Sequence, residues 1–189
     1  MRRWGVWANY LAAEGSNPFD DQVHQMTELR VRKRGRMREK EIKSMSETIA
    51  AAVGVEVFGS KDTVDIAESS EFNVVFVNNE ILALVIENRP FLTVRGLLKY
   101  KPTKRYVTVD MGAVPFVTKG ADVMGPGIVD ADPGIQPGDF VWVRDVKFQK
   151  ALAIGEAMAT GEEMRAKKPG KLIKSIAYVG DKLWKYGEE

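Results

Sequence analysis

Asp110, Asp122, Asp130 and Asp132 crowd one stretch of this chain. Carboxylates so close in sequence are the raw material of paired acid–base catalysis or of a hard-cation site. Each, however, sits in a turn-rich segment with glycine or proline nearby. Aspartate is favoured there because its side chain bonds neighbouring backbone N–H groups. No nucleophile signature, partner base or cofactor loop accompanies the four. The surrounding stretch, Tyr106 to Asp130, reads YVTVDMGAVPFVTKGADVMGPGIVD. A β-like run enters a small-residue turn, Gly112-Ala113, and a short apolar turn follows. Then come Lys119-Gly120-Ala121-Asp122 and a Pro126-Gly127 hinge. The glycines serve either turn geometry or the close approach of backbone amides to a ligand, with a lysine beside them. Binding, rather than catalysis, is the chemistry this pattern fits.

The remaining composition narrows the choice. The chain has 189 residues, no cysteine and one histidine, His24. That excludes a disulfide framework and argues against a structural zinc site; no metal or organic cofactor is implied. The length suits two small domains. No apolar run is long enough for a membrane helix, and the N-terminal residues do not form a signal peptide. A reducing cytoplasm is the expected compartment, with no membrane partner. The formal net charge is only +2, so any affinity for nucleic acid must come from local clustering.

Several elements are expected to position the glycine-rich stretch. Residues 1–26 lack sustained periodicity and read as a weakly ordered extension, with Met26 an alternative start. From Glu28 the chain turns basic: ELRVRKRGRMREKEIK. Arg32, Arg34, Arg36 and Arg38 would share one face of an extended strand. They would then either draw in RNA phosphates or simply lie solvated. A helix is predicted from Glu39 to Gly54, because Ile42, Met45, Ile49 and Val53 fall on one helical face. Strands follow at Val55–Phe58, Val64–Ala67, Val74–Val77 and Ile81–Ile86, with Asn78-Asn79-Glu80 as a hairpin turn. Arg89-Pro90 closes the last of them. Phe91 to Tyr100 reads as a short helix, and Lys101-Pro102-Thr103 as a linker. Beyond it, strands at Tyr106–Val109, Ile128–Val129, Phe140–Val143, Ala151–Ile154 and Ser175–Val179 alternate with Pro-Gly turns, the pattern of a small barrel. Trp142 and Trp184 are expected in its core. Arg144 and Lys147 either flank a binding groove or pair with Asp145 or another acid. Arg165, Lys167, Lys168, Lys171 and Lys174 form a second basic stretch.

The second half resembles a PUA domain, the pseudo-barrel of RNA-modifying enzymes and translation factors. The matching residues are Val109-Asp110-Met111-Gly112-Ala113, Lys119 to Met124, Pro126-Gly127-Ile128, Pro137-Gly138-Asp139, Val141-Trp142-Val143, Ala153-Ile154-Gly155 and Gly180 to Trp184. With its Arg-rich start, the first half is similar to the N-terminal domain of the malignant T-cell amplified sequence (MCT-1) family, in an archaeal-type form. The resemblance implies an α+β protein: an extension at 1–26, a small α/β domain at 27–102 and a PUA pseudo-barrel at 103–189. It further implies a non-enzymatic RNA-binding protein of translation initiation or ribosome recycling. Its partners would be tRNA or rRNA, the small ribosomal subunit and a translation-factor protein; a monomer is expected because the sequence shows no exposed apolar helix stripe. The RNA surface it implies comprises Gly112, Ala113, Lys119, Gly120, Ala121, Met124 and Gly127; charge clustering, independently of the resemblance, adds Arg144, Arg32, Arg34, Arg36, Arg38, Lys167 and Lys168 as candidate contacts. Two other roles remain open: presenting tRNA to a modification enzyme, or acting as a protein adaptor without RNA affinity.

Overall fold

A computed structural model describes residues 28–188; the predicted N-terminal extension lies outside the described residues. The first half is a five-stranded antiparallel sheet carrying two helices. Its elements are β1 (Arg32–Arg36), α1 (Glu39–Val53), β2 (Val64–Glu68), β3 (Asn73–Val77), β4 (Glu80–Ile86), β5 (Arg89–Leu92) and α2 (Val94–Tyr100). The strands pair in chain order, β1 to β5. Helix α1 buries Ile49 and Val53 and half-buries Ile42 and Met45, the face its periodicity predicts. Gly54 ends it at φ 81°, its N–H donating to Ala50 O. Asn78 and Asn79, both at positive φ, turn β3 into β4.

The structure departs from the sequence-based expectation in three places here. Val55–Phe58 is not a strand. The segment tucks under α1, burying Val57 and Phe58, with Ser46 Oγ donating to Val57 O. Phe58 adopts φ 58°, which no strand allows. Arg89-Pro90 does not close the sheet. Glu87 and Asn88, again at positive φ, make a second tight hairpin, and Arg89–Leu92 becomes the fifth strand. Proline is tolerated because β5 is an edge. Finally, α2 starts at Val94, not Phe91. Thr93 caps it, accepting from Gly96 N at 3.1 Å and donating to Ile81 O at 3.0 Å.

The second half is a six-stranded sheet curled into a nearly closed barrel. It comprises β6 (Tyr106–Val109), α3 (Val114–Val117), β7 (Val123–Met124), a 3₁₀ turn (Gly125–Gly127), β8 (Ile128–Ala131), β9 (Phe140–Asp145), β10 (Ala151–Ala157), α4 (Gly161–Arg165), β11 (Lys171–Tyr178) and α5 (Lys182–Lys185). Strand order is β7-β11-β10-β9-β6-β8, with only β6 and β9 parallel. The predicted strands are present; β11 begins four residues earlier than expected, and β7 was too short to register as one. Helix α4 carries a capping box, Thr160 with Glu163. Trp142 and Trp184 are both buried, and Trp142 Nε1 donates to Lys104 O at 2.8 Å.

The two halves are packed together. Phe91 meets Phe140 edge to face at 5.8 Å, and the Arg89 guanidinium lies 4.0 Å over Phe140. Arg89 also donates to Gly138 O and pairs with Glu156. Arg95 donates twice to Trp184 O, at 3.0 and 2.6 Å, and pairs with Glu188. Lys182 pairs with Glu71.

Candidate nucleic-acid interface

The glycine-rich stretch is built by local bonds that its sequence supplies. Asp110 Oδ1 accepts from Ala113 N at 2.8 Å and folds the chain out of β6 into α3. Helix α3 has four residues and buries Val114 and Val117, one turn apart. That spacing forces Phe116 outward, to 67% exposure. Ala121 N donates back to Phe116 O, closing the Lys119–Ala121 loop. Gly120 crosses it at φ 87° with its Cα against the Tyr178 ring; a Cβ there would meet Cε1 at 2.6 Å. Gly125 donates to Gly170 O and lies so close to the next turn that a Cβ would fall 1.7 Å from Lys168 O. Gly127 O accepts from Asp110 N at 2.9 Å. Gly120 and Gly125 are therefore required by turn geometry and packing. Gly112 alone among the predicted glycines is exposed.

What the stretch presents outward is a band of apolar side chains beside cations. Phe116 is joined by Met124 at 51% and Met111 at 36% exposure, with Pro115 and Pro126 also exposed. Lys119 is exposed just after α3. Lys171 stands opposite Met124 in the β7–β11 register and pairs with Asp122 at 3.2 Å. Lys167 and Lys168 are exposed on the turn that Gly125 touches, with Lys168 on Glu163 at 2.9 Å. Gly112, Ala113, Lys119, Gly120, Ala121, Met124 and Gly127 thus lie on one continuous stretch of chain, and Gly125 brings the turn carrying Lys167 and Lys168 against it. An exposed ring and thioethers suit stacking on an unpaired base, and flanking ammonium groups suit phosphates. Phe116 and Met111 were missed in the sequence. The one available signal was the i, i+3 spacing of Val114 and Val117.

The four aspartates do not converge. Asp110 holds Ala113 N. Asp122 accepts from Ser175 N and pairs with Lys171, and both contacts hold its carboxyl below the usual range, the Ser175 N–H most strongly. Asp130 pairs with Arg165, and Asp132 accepts from Arg105 N and Gly134 N. Among the described residues no group of histidine or carboxylate side chains could hold a metal ion.

The other predicted contacts lie elsewhere. Arg144 is half-buried on the barrel wall, donating to Thr108 Oγ1 at 2.9 Å, with its guanidinium 4.0 Å over Tyr106. It does not pair with Asp145. The basic run sits on the edge strand of the first sheet. There, a register shift between Arg32 and Gly35, with Lys33 at φ 50°, breaks the expected common face. Arg34 and Arg36 both bond Asp65, at 2.9 and 2.5 Å, and Arg34 also donates to Asn79 and covers Phe76. Arg32 and Arg38 are exposed, and neither guanidinium pairs with a carboxylate among the described residues; the Arg38 backbone N–H donates to Glu41 Oε2 at 2.9 Å.

The Arg36 bond, with Arg34 beside it, holds the Asp65 carboxyl below its ordinary 3.8. A depressed carboxylate adds stability that is present above its unfolded value and lost as pH falls through the folded one. Asp65→Asn is therefore expected to cost about 1 kcal/mol or less at pH 7 and nothing in strong acid, since the arginines are solvent-accessible. Melting curves at pH 7 and pH 3 check this; an equal loss at both would refute it.

Residues 105–179 match the family model of the PUA domain. An uncharacterized protein of Methanocaldococcus jannaschii is 37% identical over 84% of this chain and 99% of its own length. Malignant T-cell-amplified sequence 1 of Rattus norvegicus is 31% identical over 68% of this chain and 74% of its own length. Translation machinery-associated protein 20 of Saccharomyces cerevisiae is 38% identical over 44% of this chain and 49% of its own length. The crystal structure of a hypothetical protein of Pyrococcus horikoshii superposes with a TM-score of 0.72 at 35% identity, covering 81% of this chain and 98% of that one.

Proposed function

The chain belongs to the family of the malignant T-cell-amplified sequence and translation machinery-associated 20 proteins, with a PUA domain in its second half, and we propose that it is a non-catalytic RNA-binding protein of translation. Its ligand in this reading is tRNA or small-subunit rRNA, held at the band around Phe116 and Met124. The observation that carries the reading is the exposure of Phe116, Met124 and Met111 on the PUA barrel, with exposed Lys119 on the same stretch and exposed Lys167 and Lys168 on the turn that Gly125 touches. The translational setting is supported by the name of the yeast relative. The proposed partners are the small ribosomal subunit and a translation-factor protein, and the proposed working form is a cytoplasmic monomer. No helix among the described residues is long and apolar enough to cross a membrane.

Phosphate contacts release counterions, so affinity falls with salt in proportion to their number. Lys119→Glu is expected to weaken binding of structured RNA about equally across sequences and to lower the salt slope by about 1. Filter binding across a salt series measures both. Unchanged affinity and slope would refute a role for this surface and favour a protein adaptor.

A further inference from the structure

The hairpin turn between β9 and β10, Val146-Lys147-Phe148-Gln149-Lys150, has no place in the site described above. It is exposed, apolar and basic, yet tightly held. Asp145 is 0% exposed, and its carboxylate is spent on this turn, accepting from Phe148 N and Lys150 N. Its backbone closes the same ring: Gln149 N donates to Asp145 O and Asp145 N to Lys150 O. A buried carboxylate bonded only within one turn fixes the backbone of that turn. The side chains so fixed point to water: Val146 is 44% and Phe148 47% exposed. Lys147 Nζ lies 5.2 Å from the Phe148 ring, and neither the Lys147 nor the Lys150 ammonium group pairs with a carboxylate among the described residues.

Position links this turn to the glycine-rich stretch. Val146 N donates to Val109 O at 3.0 Å, which sets the turn beside the chain as it leaves β6 toward Asp110 and Met111. We propose that the 146–150 turn is a second RNA contact, in which Phe148 stacks on an unpaired base while Lys147 and Lys150 meet the adjoining phosphates. This inference rests on the RNA reading above and extends the bound strand past Met111 and around the end of β6. Charge selects the partner: the only acid of the turn is buried and satisfied, so the exposed surface is apolar and cationic, matched to a base with its phosphate.

The test uses two probes, a hairpin RNA with a single-stranded 3′ tail and a blunt RNA duplex, each titrated across a salt series. Phe148→Ala is expected to weaken tailed-RNA binding about fivefold to tenfold and leave the duplex unchanged, since only an unpaired base offers a free face. Lys147→Glu with Lys150→Glu is expected to lower the salt slope by about 1 to 2. If Phe116→Ala weakens tailed RNA and these variants do not, the turn is no RNA contact and the site at Phe116 stands. If the unmodified protein binds neither probe at low salt, this inference and the RNA reading fall together. Circular dichroism melts of each variant identify any that fails to fold, and for such a variant ultraviolet cross-linking of tailed RNA to the unmodified protein decides. A cross-linked peptide containing Phe148 supports the contact, and its absence beside a cross-link at Phe116 overturns it.

Discussion

Replacing Gly125 with alanine will destabilise the protein by about 3 kcal/mol, at the upper end of the overpacking range, and lower its melting temperature by roughly 6–12 °C. The cause is steric and has no soft outlet. The new methyl would fall 1.7 Å from Lys168 O and 2.8 Å from Lys168 C, which are backbone atoms. Leu172 Cδ1, at 3.1 Å, closes another direction. The loop must move away, and the Gly125 N–H bond to Gly170 O goes with it. Alanine regains only about 0.4–1 kcal/mol by restricting the unfolded chain. Gly112→Ala is the control: its Cβ would meet only Asp110 Oδ1, at 3.3 Å, and its effect should stay within about 0.5 kcal/mol. Denaturant titration of both variants measures the difference. Equal stabilities would show that the 124–127 and 168–172 segments are not packed as described. The functional consequence follows from the structure: these segments carry Met124, Lys168 and Lys171.

Phe116→Ala is expected to weaken RNA binding without weakening the fold. The side chain is 67% exposed, so its removal forfeits little buried area, and the melting temperature should shift by less than about 2 °C. Stacking of one base on one aromatic ring is worth about 1–3 kcal/mol. At 1.4 kcal/mol per tenfold, that corresponds to a loss of roughly 5- to 150-fold. The loss should appear in affinity rather than in salt slope, because no phosphate contact is removed. Phe116→Tyr keeps the ring and should retain binding. A Phe116→Ala protein that binds as well as the unmodified chain would leave the apolar band without an RNA role.

What was legible in the sequence was whatever local geometry dictates. The spacing of Ile42, Met45, Ile49 and Val53 specifies α1, and Asn78-Asn79 specifies a tight turn, because each depends only on neighbours. Asp110 and Asp132 act as local turn residues for the same reason, bonding Ala113 N and Gly134 N, whereas Asp130 lies in β8 on Arg165 and Asp122 bonds Ser175 N, far away in sequence. Val55–Phe58 misled because burial, not strand pairing, explains its alternation. Arg89-Pro90 misled because proline ends a central strand but is harmless on an edge, and edge status depends on strands far away in sequence. The shared face expected of Arg32, Arg34, Arg36 and Arg38 failed on a bulge, and the partner of Arg34 and Arg36, Asp65, enters only through strand pairing. At the candidate site, the glycines were visible but their work was not. Gly120 and Gly125 are required by Tyr178 and Lys168, on segments that only the closed barrel brings near.

The most direct test of the central claim is binding of the purified protein to bulk tRNA, intact and lacking its 3′-terminal nucleotides, across a salt series. The account predicts salt-sensitive binding that weakens when the unpaired 3′ end is removed, because the band around Phe116 and Met124 needs free bases to stack. Binding that is equally tight to both tRNAs would contradict it, reducing the surface to a general polyanion patch. No binding at low salt would remove direct tRNA recognition altogether.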